Sequence, residues 1–200
     1  KEDENGVLQS IEFKNTDSFN FGFDVVDAIA EKYPEKLAMI HLDKNKTERR
    51  FTFLDMKKES ARCANYFLSL GIRKGDKVML VLKRHYQFWF AMLALHKIGA
   101  IAIPATYQLR EHDFVYRFNA AGVKAIVCTS DGDCAEIVDK VQPECPTLTL
   151  KVLVGGQREG WKDFDSEYGL FKSSFRRTPD TPSGDDPALM FFSSGTTGNP

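Results

Sequence analysis

The sequence predicts an α/β fold, with strands and helices alternating to build a mostly parallel sheet. One observation is the alternation itself, which runs from about Phe51 to Val141 and is the pattern that right-handed crossovers leave in a chain. A second is the punctuation of the helices by a capping box and by terminal glycines. The third is composition: 42% hydrophobic and 28% charged residues over 200 positions supply a core and exclude both a disordered chain and a disulfide-stapled mini-protein.

Val25, Val26, Ile29 and Tyr33 recur at helical spacing from Asp24 onward, and Pro34 stops the pattern. LAMIHL (37–42) and RRFTF (49–53) are β-prone runs flanking the polar DKNKTE, a hairpin or two neighbouring strands. Thr52 with Asp55 forms a capping-box pattern, in which hydroxyl and carboxylate satisfy free amides at a helix start. Ala61, Ala64, Phe67 and Leu68 continue the buried face of that helix, and Gly71 terminates it. KVMLVL (77–82) reads as a strand, followed by a helix carrying Phe88, Ala91, Met92, Leu95 and Ile98 on one face, with Trp89, Phe90 and Leu93 elsewhere. A helix apolar all round is expected to be buried. AIAIPA (100–105) and KAIVC (124–128) are strands that bracket a helix through Phe114, Val115, Phe118 and Ala121, closed by Gly122. LKVLV (150–154) is another strand. Residues 155–186 are rich in Gly, Pro, Ser, Asp and Arg and read as a surface connector. GGQREG within it lacks the G-x-G-x-x-G order of a dinucleotide loop and reads as a turn.

Charge and spacing exclude several function classes. Twenty-seven Lys and Arg against 28 Asp and Glu leave no global basic field for a nucleic-acid partner. The longest apolar run, Phe88 to Leu95, is eight residues, against the roughly 20 of a membrane helix. Cys63, Cys128, Cys134 and Cys145 lie at unrelated spacings and read as reduced structural thiols. His41, His85, His96 and His112 are isolated, so no metal ligand set is expected. The first ten residues, KEDENGVLQS, are acidic rather than basic and apolar, and the expectation drawn from them is a cytoplasmic protein.

The final run, ALMFFSSGTTGNP, carries the chemistry. Five apolar residues suited to a buried strand lead into small hydroxyl residues and glycines. Gly195 and Gly198 let backbone amides approach an anion, and Ser193, Ser194, Thr196 and Thr197 add hydroxyl donors. Taken alone, such a run is more often a flexible loop. It is not a Walker loop, because the glycine spacing differs and the Lys before the hydroxyl residue is missing.

The order of residues is what decides. SSGTTGNP resembles the phosphate-binding signature of the acyl-adenylate-forming superfamily, which includes the acyl-CoA synthetases. RRFTFLDM with LGIRKGDKV, and MLALHKIGAIAIPA, resemble two earlier segments of that superfamily in the same sequence order. FNFGFDVVDAIAEKYPEKLAMI and EGWKDF look like its medium-chain acyl-CoA synthetase branch. One departure is HYQFWF (85–90), where members of that branch carry a Pro-Glu pair before the Trp.

The resemblance implies the first part of the large N-terminal domain of an adenylate-forming enzyme. Its expected layout is an extension over 1–20 and an incomplete AMP-binding domain over 21–200. Within the latter come a sheet subdomain (51–154), the connector (155–186), and a strand with the phosphate loop (187–200). It implies an AMP-forming carboxylate:CoA ligase that uses ATP, Mg2+ and CoA on a small carboxylic acid. Ser193, Ser194, Gly195, Thr196, Thr197 and Gly198 are the expected ATP phosphate-binding residues. The catalytic Lys, the metal-associated Glu and the C-terminal domain of similar enzymes would follow residue 200, so the 200 residues alone are expected to be inactive, with no catalytic residue or metal ligand among them. The alternatives are a non-catalytic nucleotide-binding module and an adenylate former with an amino-acid substrate.

Overall fold

Helix punctuation translates directly into backbone geometry in the computed structural model, which describes residues 1–11 and 16–193. A π-helical stretch, Gly22–Asp27, runs into α1 (Ala28–Lys32). The sequence spacing predicts an ordinary helix here; the wider turn instead brings Asp27 onto a buried lysine, Lys97. β1 (Leu37–Leu42) and β2 (Glu48–Thr52) form the expected hairpin as a separate antiparallel pair. Thr52 Oγ1 then accepts from the Asp55 amide (3.1 Å) while Asp55 Oδ2 accepts from the Thr52 amide (2.8 Å), starting α2 (Phe53–Ser69).

The central sheet has five strands. β3 (Lys77–Val81), β4 (Ile101–Pro104), β5 (Ala125–Thr129), β6 (Leu150–Val154) and the two-residue β7 (Lys162–Asp163) lie in the order β4-β3-β5-β6-β7, every neighbouring pair parallel. α3 (Gln87–Ile98), α4 (Glu111–Ala121) and α5 (Cys134–Val141) make the crossovers, and a short α6 (Phe164–Glu167) follows β7. Gly99 closes α3 at φ 75°, and a Cβ there would lie 2.9 Å from Lys74 Cγ, so the position demands glycine on both conformational and steric grounds.

Strand alternation splits the core in two. Val78, Leu80, Ala102, Val127 and Val152 face α2 and α3. Met79, Val81, Ile103, Ile126 and Leu153 face α4 and α5. All four cysteines are buried in these cores and unpaired.

Three sequence expectations change. α3 is buried over most of its surface, but Trp89 is 51% exposed beside β1, because the helix start projects past the sheet toward the hairpin. The 155–186 stretch contains β7, and Phe164 just after it is fully buried among Tyr66, Phe67 and Tyr168. Two strand residues and a single helical turn leave no period to detect. The third change concerns Ala188–Phe192. It forms one parallel bridge, Leu189 to Ala102, on the outer edge of β4 rather than a buried strand. Met190 and Phe192 pack on the α4 side, while Leu189 (43%) and Phe191 (68%) point the other way and are exposed. Among the described residues no helix is long and apolar enough to cross a membrane.

Candidate functional site

Parallel strands deliver their following loops to one rim, and open α/β sheets bind ligands there, at the point where successive crossovers diverge to opposite faces. In this sheet that point lies between β3 and β5, because α3 packs on one face and α4 and α5 on the other. The loops after β3 and β5 meet there. His85 Nε2 is 3.2 Å from Thr129 Oγ1 and 3.9 Å from Asp131 Oδ2. Burial pushes the His85 pKa below its usual value, against the opposing pull of Asp131 and Asp165. A neutral ring is therefore favoured at physiological pH.

Three further contacts shape the rim. His41 Nε2 lies 2.7 Å from the Arg84 carbonyl, which can only accept, so this nitrogen carries the proton and ties the hairpin to the β3–α3 loop. Gln87 donates to Asp165 Oδ1 (2.8 Å), whose other oxygen accepts from the Gly155 amide (2.7 Å). Lys83 Nζ sits 4.9 Å above the Tyr107 ring in the loop after β4. Between these walls lies a cleft of about 900 Å³, bordered by His41, Lys83, His85, Tyr107, Asp131 and Asp165. That volume is ample for a nucleotide-sized ligand.

The stem of the glycine and hydroxyl run reaches the same rim. Ala102 donates its amide to the Ala188 carbonyl (3.1 Å), and Met190 donates to the Ala102 carbonyl (3.0 Å). The stem is thus parallel to β4, and the chain following it leaves at the C-terminal edge of the sheet. Ser193 is described there, exposed, directly after the stem. Ser194, Gly195, Thr196, Thr197 and Gly198 lie outside the described residues. Among the described residues no three His, Cys, Asp or Glu side chains converge on a metal position.

Sequence reasoning missed the Gln87–Asp165–Gly155 bridge and the contacts that hold the stem. Gln87 lies within HYQFWF, the stretch that departs from the Pro-Glu pair of the resembling branch, and that departure was the available signal. Asp165 had none, since its partners are 78 and 10 residues away.

Comparison with known proteins agrees with this architecture. A family described as AMP-binding enzyme matches residues 26–200. The rat acyl-coenzyme A synthetase ACSM5, mitochondrial, is 36% identical over 189 residues, covering 91% of this chain and 32% of the relative. The human acyl-coenzyme A synthetase ACSM1, mitochondrial, is 34% identical over 197 residues, covering 94% and 33%. The chain spans about a third of the length of these curated relatives. Among solved structures, the anthranilate CoA ligase AuaEII in complex with anthranoyl-AMP superposes with a TM-score of 0.77 at 21% identity, over 92% of this chain and 34% of that one. A Brucella canis acyl-CoA synthetase gives 0.76 at 21% identity, over 94% and 33%. These two likenesses establish the fold.

The names of the curated relatives overturn the cytoplasmic expectation, since each of those compared is called mitochondrial. The acidic character of residues 1–10 describes those residues alone and does not report on compartment. With the family match extending over residues 26–200, the chain belongs to the family of AMP-binding enzymes.

Proposed function

We propose that the chain is the N-terminal portion of an AMP-forming carboxylate:CoA ligase of the medium-chain acyl-CoA synthetase type. The observation that carries this reading is the stem. It is zipped to β4 by two backbone hydrogen bonds, and Ser193, the first residue of the hydroxyl and glycine run, follows it directly. In this reading a carboxylate oxygen attacks the α-phosphorus of ATP and the bond to pyrophosphate breaks, giving the acyl-adenylate. The thiol of CoA then attacks the acyl carbon and AMP leaves. Amides and hydroxyls of Ser193, Ser194, Gly195, Thr196, Thr197 and Gly198 hold the β- and γ-phosphates, stabilising charge as the pyrophosphate departs.

ATP enters as its Mg2+ complex. The described residues do not fit a metal site of their own, so none of them is assigned to the ion. Acyl-CoA formation in the mitochondrion is the setting that the relatives' names support.

The test is carboxylate-dependent exchange of labelled pyrophosphate into ATP by the full-length protein, across straight-chain and aromatic acids. Exchange is expected with medium-chain acids, and Thr196→Ala with Thr197→Ala is expected to reduce it roughly 100-fold, on the scale of losing preorganised donors. Absence of exchange with every acid overturns the ligase reading.

A further inference from the structure

The stem of the phosphate loop is held at two places. Its backbone is fixed as far as Met190 by the hydrogen bonds to Ala102. Beyond Met190 the grip passes to one side chain, Phe192, the residue immediately before Ser193. Phe192 turns toward α4, where the Arg117 guanidinium lies 5.2 Å over its ring and Tyr116 meets it edge-on at 6.2 Å. Arg117 is unusual for a surface-helix arginine. Its Nε is buried without a hydrogen-bond partner, and among the described residues no carboxylate lies within 4.0 Å of it. A solvated arginine would turn such a donor to water or to a carboxylate. Here the Nε donor is left unsatisfied while the guanidinium sits over the Phe192 ring, a cation–π contact.

We propose that Arg117 is a positioning residue for Ser193 at the end of the stem, acting through Phe192. The inference rests on the ligase reading for its consequence, but its geometry stands on described residues. Phe192 anchors one end of the Ser193–Gly198 run. If the clamp is released, the end of the stem and Ser193 lose their fixed place relative to the rim. Small displacements of charge-stabilising donors are costly because their benefit depends on aim.

Two measurements on the full-length protein separate this inference from the ligase reading. The first is hydrogen–deuterium exchange of the Met190 amide, which is bonded to the Ala102 carbonyl and needs no catalysis to be read. Arg117→Ala and Phe192→Ala are each expected to speed that exchange about tenfold or more while the amides of β3 and β5 keep their rates; an unchanged rate at Met190 overturns the proposal. The second is pyrophosphate exchange. Arg117→Ala is expected to lower kcat roughly 10- to 100-fold with the KM for the carboxylate unchanged, and Arg117→Lys to recover part of it. The double variant should be no slower than the slower single one; independent multiplication of the two effects overturns the coupling through Phe192. If Phe192→Ala does not fold, Phe192→Leu replaces it, removing the ring face while retaining apolar bulk. A wild-type protein without pyrophosphate exchange refutes the ligase reading, and amide exchange still decides the role of the clamp.

Discussion

The two faces of the sheet are held by different chemistry. On the α2 and α3 face, polar contacts link segments far apart in the chain. Lys97, fully buried, donates to Asp27 (2.8 Å) and to Ser60 (2.9 Å). Asn20 donates to the His96 carbonyl (2.9 Å), and Arg62 reaches the carbonyls of Gly169 (3.0 Å) and Phe171 (3.1 Å). Tyr66 donates to Glu167 (3.0 Å). On the α4 and α5 face the interior is apolar, and the polar contacts stay near its margin. Asp139 is the chief example, accepting from Lys151 (2.6 Å), Arg158 (2.6 Å) and Trp161 Nε1 (2.9 Å). The lesson is that one face is closed by consecutive crossovers, whereas the other must also recruit residues 20–32 and 164–186 and does so with directional bonds.

The largest expected effect comes from breaking the first face. Lys97→Ala leaves the Asp27 carboxyl buried without its cation and should cost about 3 to 5 kcal/mol in urea unfolding. Asp27→Leu with Lys97→Met should cost much less, because both charges go together. Burial raises the Asp27 pKa and lowers that of Lys97, each against the attraction of its partner. If the double replacement is as damaging as the single one, the pair contributes shape rather than charge compensation.

A smaller effect is expected at the margin of the second face. Burial would raise the Asp139 pKa, but the hydrogen bonds from Lys151, Arg158 and Trp161 outweigh it and hold the value below 3.8. The native state therefore binds fewer protons than the unfolded one in the acid range. Its contribution is complete above pH 3.8 and is lost as pH falls through the lowered value. Asp139→Ala should cost about 1 to 2 kcal/mol at neutral pH and flatten the acid limb of the stability curve, read from melting temperature against pH.

The smallest effect belongs to His96. Both of its ring nitrogens are buried without a partner, and burial lowers its pKa from 6.5. Its neutral form is favoured in the fold, so stability is complete above pH 6.5 and declines as pH falls below it. His96→Leu should reduce that slope, leaving the share that His85 contributes with the same sign, and change neutral stability by less than about 1 kcal/mol. A slope left unchanged by the substitution would assign it to His85 instead.

Local signals made much of this legible. Thr52 and Asp55 are three residues apart, so the capping box could be read before any contact was known. The strands after Gly71, Gly99 and Gly122 were equally visible, because each follows a helix with a recognisable stop. For the candidate site, the hydroxyl and glycine run and its link to the family were legible as a motif. Its stem was legible only in part. Five apolar residues suggest a buried strand, but an edge position buries alternate side chains and leaves Leu189 and Phe191 exposed. Arg117 looked like any other helix surface residue, since its partner is 75 positions away and belongs to no shared period.

By itself the sequence determined the α/β class, the order of the elements from β1 to β6, and the residues to test for phosphate binding. These depend on interactions within a few residues or on motif order, which a linear reading contains. Only the tertiary structure decided the strand order β4-β3-β5-β6-β7, the burial of Lys97 on Asp27, and the clamp of Arg117 on Phe192. Each pairs residues that are distant in the chain, and the choice among possible partners is made by packing against a shared core.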